Sequence, residues 1–310
     1  MENRITRKQF LQVAGAAALT LPVAGLYGHP FSPLTPPASS YAAHPGLQLY
    51  TLRESFGKDP EGTLKRVAAI GFKDLEFFNP GSLGMSGMVK DLGMTIISSH
   101  FSPGYITGSW DKKFFKTPPT ETFESLVETC AKNGVKNLGI GMLFPSDREH
   151  FDDYKRFAET ANKAGEKSKK AGVQLYYHNH SFEFEPVENT TPLEAMLAIM
   201  DPSLVQLELD VFWTTVSGND ASAWIRKLKG RIKFLHLKDL RAGTPKDYTT
   251  FKVDHAAFVA LGEGMVDFKK ILQAAHETGI PYTFVEQDYS VIDPFESITK
   301  SIGYLKGLGI

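Results

Sequence analysis

The chain has 310 residues, of which 42% are hydrophobic and 22% are charged, and its formal net charge is −1. This composition excludes a disordered chain and a multi-span membrane protein, and the near-neutral charge gives no electrostatic basis for nucleic-acid binding. The single cysteine, Cys130, excludes an internal disulfide framework and a cysteine metal cluster. It lies in the helical pattern FESLVETCAKNGV, so we expect a small core residue.

Residues 1–45 have the order of an export signal followed by a linker. Arg4, Arg7 and Lys8 precede the apolar run FLQVAGAAALTLPVAGLYG, and a Pro/Ser-rich stretch follows. The segment 6–11 resembles a twin-arginine signal in which lysine replaces the second arginine, so the general secretory route stays open. Pro22 interrupts the apolar run, which favours an exported, periplasmic protein over one with a permanent membrane span.

The rest of the chain repeats a helix pattern, a glycine and a short apolar run. The glycine suits the left-handed residue that ends many helices, and a short continuous apolar run is typical of a buried parallel strand. These glycines are Gly71, Gly93, Gly134, Gly172, Gly230 and Gly279. With two further apolar runs the pattern predicts eight strands: 46–52, 73–79, 95–101, 136–143, 174–180, 205–212, 232–238 and 282–287.

Eight strands alternating with helices predict a single (β/α)8 TIM barrel over residues 46–310. The alternative is an open doubly wound sheet, but no GxGxxG motif follows the first strand and no GxxxxGK[ST] motif occurs. Three helix starts carry capping signals. They are Ser146 with Glu149, Thr191 with Glu194, and Asp293-Pro294 with Glu296.

Polar residues collect at the carboxyl ends of the predicted strands, where barrel enzymes have their active sites. They include Glu76, His100, His178, Asn179, His180, Glu183, Glu208, Asp210, His236, Lys238, Glu286 and Asp288. Charged groups so close to apolar runs are costly to bury unless they are paired or bind a metal. A mixture of carboxylates and imidazoles, without thiolates, suits one divalent ion such as Mn, Co, Zn or Mg.

Each of these residues also has a purely structural interpretation. Asp210 or His236 could cap a loop, Glu208 could be an ion-pair partner, and Lys238 with Asp239 could form a surface pair. Strand alternation places Glu208 beside Asp210, and His236 beside Lys238, on one face. Their joint position at one rim favours a functional site.

Five motifs resemble the xylose isomerase-like (β/α)8 superfamily, in particular its exported sugar phosphate isomerase/epimerase group. They are YYHNHSFEFEP, LELDVFWTTVSG, FLHLKDL, LGEGMVDFKKIL and FVEQDYSVIDPFESITKSIGYLKGLG, and the resemblance extends over residues 46–310. Members of this superfamily hold one divalent metal with a Glu, Asp, His and Glu set from strands five to eight. The resemblance therefore implies Asp210, His236 and Glu286 as ligands.

The resemblance implies a fourth ligand from the strand-five motif. We assign Glu183 from the HNHxxE pattern, with His178 as the alternative. Because epimerases of this superfamily use the first and last ligand carboxylates as acid and base, Glu183 and Glu286 are the expected catalytic residues. His100, His178, His180 and Lys238 are expected to bind substrate oxygens, and Trp213 offers a ring face for a sugar or a core position.

The expected function is a metal-dependent sugar isomerase or epimerase that transfers a proton next to a carbonyl through an enediolate held on the metal. The first alternative is a lyase or hydratase that acts on keto-sugars or keto-glycosides. The second alternative is a non-catalytic sugar-binding barrel. The acidic LGEGMVDF segment disfavours sugar phosphates, so a neutral small-molecule carbohydrate is the expected partner. The sequence leaves the sugar, the metal and the oligomeric state open.

Overall fold

Eight parallel strands close into a barrel in the computed structural model, which describes residues 40–309. The neighbours run in sequence order around the barrel, and the last strand pairs with the first. The barrel strands are β1 Gly46–Gln48, β2 Asp74–Phe77, β3 Thr95–Phe101, β4 Asn137–Ile140, β5 Gln174–His178, β6 Val205–Asp210, β7 Ile232–Leu237 and β10 Tyr282–Val285. The predicted TIM barrel is confirmed; the predicted export signal lies outside the described residues.

All eight strands lie within the predicted ranges, but most end two or more residues earlier than predicted. After β1 the chain forms a short 3-10 helix, Leu49–Leu52, instead of continuing extended. After β6 it turns into a helix at Val211 because Oδ1 of Asp210 accepts hydrogen bonds from the Phe212 and Trp213 N–H groups. The chain therefore leaves the barrel where its polar side chains begin.

Helices connect the strands and cover the outside of the barrel. They are α1 Ser40–Ala43, α2 Arg53–Lys58, α3 Pro60–Ile70, α4 Ser86–Asp91, α5 Gly104–Thr107, α6 Phe123–Lys132, α7 Phe151–Lys170, α8 Pro192–Ile199, α9 Val211–Val216, α10 Ala221–Lys227, α11 Phe268–Thr278 and α12 Pro294–Gly307. All six glycines that were predicted to end helices have positive φ, between 73° and 108°. Cys130 is buried in α6, as predicted.

Two of the three predicted helix caps are confirmed. The Thr191 hydroxyl accepts from the Glu194 N–H, and Asp293 accepts from the N–H groups at the start of α12. The cap at Ser146 is wrong, because Pro145–Asp147 forms a 3-10 turn and α7 starts only at Phe151. There the Asp153 carboxylate accepts the His150 N–H, 2.6 Å away.

A layer of aromatic side chains fills the barrel interior. Tyr176, Phe234 and Phe284 are fully buried and form a separate apolar cluster. Gly139 on β4 makes room for the Tyr176 ring, because a Cβ at position 139 would lie 2.3 Å from Cζ of that ring. The Tyr176 hydroxyl donates to Glu76, so the aromatic layer directly supports the polar groups beyond it.

A two-stranded hairpin after β7 was not predicted. Strand β8, Asp239–Leu240, pairs antiparallel with β9, Phe258–Val259, and the segment 241–257 runs between them. The buried Asp239 carboxylate accepts backbone N–H groups from Leu240, Gly262, Gly264 and Val266 at 2.9–3.1 Å. These bonds fix both the start of the hairpin and the segment that follows it.

The barrel unit also includes residues before the predicted boundary at 46. Tyr41 is buried, and its hydroxyl donates to the Ile280 carbonyl at 2.6 Å. No helix between residues 40 and 309 has both the length and the apolar character needed to cross a membrane.

Candidate metal centre and cavity

A cavity of about 650 Å³ lies at the carboxyl ends of the strands, within the size range of small-molecule sites. Loops after β1, β2, β3, β4, β7 and β10 contribute to its wall. The predicted substrate-binding residues all line it: His100, His178, His180, Trp213 and Lys238. Glu286 lines it as well, while Asp210 and His236 are fully buried next to these groups.

Four side chains place one potential ligand atom each within 4.8 Å of all the others: His178, Asp210, His236 and Glu286. Nδ1 of His236 lies 2.6 Å from Oε2 of Glu286 and 3.9 Å from Oδ2 of Asp210. Nε2 of His178 lies 3.7 Å from the same Asp210 oxygen. Two imidazoles and two carboxylates therefore converge from β5, β6, β7 and the end of β10.

The donor set fits a divalent cation. Oδ2 of Asp210, Nδ1 of His236 and Oε2 of Glu286 are buried and have no aligned hydrogen-bond partner among the described residues, although the Lys238 ammonium lies within 3.0 Å of both oxygens. Nδ1 of His236 and Oε2 of Glu286 are close, but they are not aligned as a donor and an acceptor. The Lys238 charge offsets part of the cost of burying the two carboxylates, and a divalent cation would also give Nδ1 of His236 a partner. Imidazole and carboxylate ligands suit Zn, Mn or Co.

A second layer of carboxylates orients these ligands. Nδ1 of His178 is 3.1 Å from Oε2 of Glu208, and Nε2 of His236 is 2.6 Å from Oε1 of Glu76. A carboxylate on one ring nitrogen fixes the ring and leaves the other nitrogen for a metal. Asp210 is held too, because Oδ1 caps α9 while Oδ2 faces the ligand group and lies 3.0 Å from Nζ of Lys238.

Glu76 and Glu208 belong to a buried network with His100. Glu76 also accepts from Gln48, Ser98 and Tyr176, and Nε2 of His100 lies 2.8 Å from Glu208. Burial lowers the pKa of His100, but the Glu76 and Glu208 carboxylates outweigh burial and raise it to about 9. His100, His178, Glu208 and His236 form a second close group, whose atoms are mostly bonded to one another.

Lys238 places a buried cation among three carboxylates. Its Nζ lies 3.0 Å from Asp210, 2.8 Å from Glu286 and 2.9 Å from Asp288. Burial lowers the pKa of Lys238, yet these carboxylates raise it well above its ordinary value. Burial raises the pKa of Glu286, but Lys238 and His236 lower it further, so this carboxyl is ionised at neutral pH.

The structure places Glu183, the preferred fourth ligand from the sequence, outside both groups. Its Oε1 accepts from the Tyr177 hydroxyl at 2.5 Å, and its Oε2 accepts from the His180 N–H at 2.9 Å. Glu183 does not line the cavity. The alternative from the sequence, His178, is the residue that the structure brings together with Asp210, His236 and Glu286.

This position of Glu183 leads to a prediction about stability. Burial raises the pKa of Glu183 from an ordinary 4.5 to about 7. The folded chain therefore keeps a proton that the unfolded chain has lost, so its stability decreases as the pH rises from 4.5 to about 7. The Glu183→Gln variant can keep both hydrogen bonds and carries no charge.

At pH 8 we expect Glu183→Gln to be more stable than the wild type by about 1–3 kcal/mol. At pH 5 the two proteins should differ little, because Glu183 is protonated in the folded wild type. Urea unfolding at both pH values measures the difference. A variant that is equally destabilised at both pH values would show that the carboxylate itself is required.

His180 and Trp213 each present a polar atom without a partner to the cavity. Nδ1 of His180 and Nε1 of Trp213 are buried and have no hydrogen-bond partner among the described residues. Their ring centroids are 5.3 Å apart, and both rings line the cavity. Burial, followed by the charge of Lys238, lowers the pKa of His180 well below its ordinary value, so its imidazole is neutral. Both groups are available to a ligand.

The polar residues at the carboxyl ends of the strands were predictable, but the carboxylates that orient the histidine rings were not. Glu76 and Glu208 were recognised as polar strand-end residues, yet the residues they would contact could not be assigned. The signal for Glu208 was its shared face with Asp210, since both contact the His178 ring. The bond between the Tyr176 hydroxyl and Glu76 could not be predicted, because it joins residues 100 positions apart in the chain.

Comparison with known proteins agrees with this architecture. Residues 64–307 match the family described as xylose isomerase-like TIM barrel. The inosose dehydratase of Lacticaseibacillus casei is 31% identical over 226 residues, which is 64% of this chain and 75% of that protein. A sugar phosphate isomerase/epimerase from Parabacteroides distasonis has a TM-score of 0.69 and 29% identity, covering 86% of this chain and 94% of that one.

A second solved structure supports the fold alone. The IOLI protein, solved with a bound zinc atom, has a TM-score of 0.65 and 16% identity, and the alignment covers 86% of this chain and 98% of that one. The closed barrel, the polar groups at its carboxyl rim and the match over most of the chain agree. The chain belongs to the xylose isomerase-like TIM barrel family.

Proposed function

We propose that the protein is a divalent-metal-dependent dehydratase that acts on a keto-sugar or a keto-cyclitol. The observation that carries the proposal is Nδ1 of His180, a buried acid–base atom of the cavity that has no hydrogen-bond partner among the described residues. Two other buried titratable groups there are paired: Glu286 with Lys238 and His236, and His178 with Glu208. The similarity to an inosose dehydratase supports the same reaction class.

The elimination needs only one such group. A metal held by His178, Asp210, His236 and Glu286 would act as a Lewis acid that makes the proton next to the carbonyl more acidic. The neutral His180 accepts this proton from carbon, and the hydroxyl on the adjacent carbon leaves as the C–O bond breaks. The protonated imidazole then gives its proton to the leaving hydroxyl, so the products are water and an unsaturated ketone.

Other cavity residues bind and orient the substrate. Nε1 of Trp213 is a free donor for a hydroxyl or carbonyl oxygen, and the Lys238 ammonium can donate to one in exchange for one of its three carboxylates. Nε2 of His178 and the Glu286 carboxylate face the same region. Because the cavity floor is lined by charged and aromatic groups, a ring with several hydroxyls is the class of ligand that its polar atoms match.

An isomerase or epimerase is the second candidate. The similarity to the Parabacteroides distasonis isomerase/epimerase favours it, and the sequence predicted it from the resemblance. An epimerase would need a second group to return a proton to the opposite face of the carbon, and Glu183, which the sequence proposed together with Glu286, does not line the cavity. This difference favours elimination.

The decisive experiment incubates the protein, loaded with Mn²⁺, Co²⁺ or Zn²⁺, with an inosose in D₂O. A dehydratase produces an unsaturated ketone with a new ultraviolet absorbance and releases water. An epimerase instead gives a saturated product that carries deuterium on carbon and no new absorbance. Deuterium incorporation without an absorbance change would therefore reject the dehydratase in favour of the second candidate.

A substitution of His180 tests the proposed base. His180→Ala should keep its metal, because His180 is outside the ligand group, while the dehydration rate falls by about 10²–10⁴-fold. His276→Ala, on α11, is the matched histidine control and should leave the rate unchanged. An active His180→Ala protein would contradict this role of His180.

A separate proposal concerns residues 1–45, which we infer to be an export signal and linker that direct the protein to the periplasm. The basic residues ahead of an apolar run support it. Cell fractionation of the full chain, and of a chain with Arg7 and Lys8 replaced by glutamine, tests it. Unchanged export of the variant would reject the twin-arginine route, and a cytoplasmic wild type would reject export.

A further inference from the structure

The cavity has two ends with different chemistry. At the buried end lie His178, His180, Lys238 and Glu286, which form the site described above. The other end is exposed and is lined mainly by apolar side chains from the loops after β3, β4 and β8. Its main members are Tyr105, Phe114, Phe115, Met142, Phe144 and Phe251, which we call the aromatic mouth.

The aromatic mouth leaves large apolar surfaces in contact with water. Phe114 is 47% exposed and Phe251 is 51% exposed, although few large apolar residues in the described chain are so accessible. Their ring centroids are 5.6 Å apart, and Phe114 lies 4.8 Å from Phe144. Three loops far apart in sequence thus bring their rings to one place, and a cluster of this kind marks a binding surface.

The cavity is larger than a single sugar ring requires. A six-carbon ring with its hydroxyls takes the space of about five or six water molecules, roughly 150–180 Å³. The cavity volume of about 650 Å³ leaves several times this space for another part of the ligand. That space lies towards the aromatic mouth, because the polar groups that suit a sugar are at the buried end.

Away from the buried end, two polar side chains of the cavity wall bond to the protein, while the Ser102 hydroxyl has no partner among the described residues. The Thr250 hydroxyl bonds to Ser181 at 2.8 Å, and Oδ1 of Asn79 accepts from the Gly81 N–H at 2.8 Å. The apolar side chains that form most of the mouth offer no hydrogen bonds to the hydroxyls of a second sugar ring, and unpaired hydroxyls lower the affinity. A flat apolar ring has no hydrogen bonds to lose at the mouth, and it gains contact with the phenylalanine rings.

We propose that the aromatic mouth is a subsite for an aromatic substituent attached to the sugar ring, so that the substrate class is an aryl-substituted sugar rather than a free monosaccharide. This inference rests on the proposed function for the position of the sugar ring. The buried end recognises the polyhydroxylated ring, and the mouth selects ligands by their apolar substituent.

The test compares two probes by isothermal titration: 4-nitrophenyl β-D-glucopyranoside and methyl β-D-glucopyranoside. The wild type should bind the aryl glucoside at least about tenfold more tightly, equivalent to about 1.4 kcal/mol. The Phe114→Ala/Phe251→Ala protein should lose most of this preference. Met265→Ala, which removes an equally exposed apolar side chain away from the cavity, should retain it.

Equal affinities for the two probes, or no binding of either, would overturn the proposal. A preference for the aryl glucoside that survives in the double variant would overturn the proposal too. Both probes lack a ketone, so binding is measured without turnover. An aryl preference without dehydration of any keto-sugar would reject the proposed reaction alone, and dehydration without the preference would reject the subsite alone.

Discussion

Replacement of His178 by alanine should yield a protein without its divalent metal, whereas Glu183→Gln should retain about one ion per chain. Nε2 of His178 faces Asp210 within the ligand group, and Glu208 holds the other ring nitrogen. Glu183 uses its two oxygens for Tyr177 and the His180 N–H. Loss of an orienting group alone costs about 10–100-fold in metal affinity, so loss of a ligand should cost more.

Elemental analysis of both variants and of the wild type, all purified without added metal and again after addition of Mn²⁺, measures the difference. Circular dichroism checks that each variant is folded. Metal in His178→Ala but not in Glu183→Gln would restore Glu183 as the fourth ligand. A wild type that stays empty in the presence of Mn²⁺, Co²⁺, Zn²⁺ and Mg²⁺ would reject the metal centre.

Lys238→Met should destabilise the metal-free protein by about 3–5 kcal/mol, the usual cost of removing one partner from a buried ion pair. The variant leaves Asp210, Glu286 and Asp288 without the ammonium that lies within 3.0 Å of each. For a domain of this size we expect the Tm in EDTA to fall by roughly 6–20 °C. A bound divalent cation supplies the missing charge, so Mn²⁺ should raise the Tm of the variant more than that of the wild type.

Thermal unfolding in EDTA and in Mn²⁺ measures both effects. Lys300→Met is the matched control, because Lys300 pairs with Glu263 at 3.1 Å on the surface, where such pairs contribute little. Its Tm should change by no more than about 1–2 °C under either condition. A metal-free Lys238→Met protein as stable as the wild type would contradict the charge compensation, and a variant that Mn²⁺ does not stabilise would place the metal elsewhere.

The fold could be predicted from the sequence because each repeat carries its own local signal. A glycine with positive φ ends the helix before the strand, as at Gly172, and the apolar run that follows is buried on both faces. The predicted ends of the strands were less accurate. The residue at which the backbone stops being extended depends on side chains such as Asp210, which caps α9. The β8–β9 hairpin was missed because each of its strands has only two residues.

The site could be predicted only in outline. The sequence shows that Asp210, His236 and Glu286 end neighbouring strands, and these three do converge. It does not show how a loop bends after a strand, and that bend decides the choice between His178 and Glu183. Because β5 ends at His178 and a 3-10 turn follows at Phe182–Phe184, Glu183 lies against Tyr177 instead of the centre.

The Asp239 carboxylate makes the position of Lys238 in the candidate metal centre independent of the sequence of the loop 241–257. Asp239 directly follows Lys238, and its four backbone hydrogen bonds hold both sides of the β8–β9 hairpin. The segment 241–257, which supplies Phe251 and Val253 to the cavity, starts and ends on this fixed base. Its length and sequence can therefore change with small cost in loop-closure entropy and without moving Lys238. The substrate range of such a barrel can diverge by exchange of this one surface segment while its reaction stays the same.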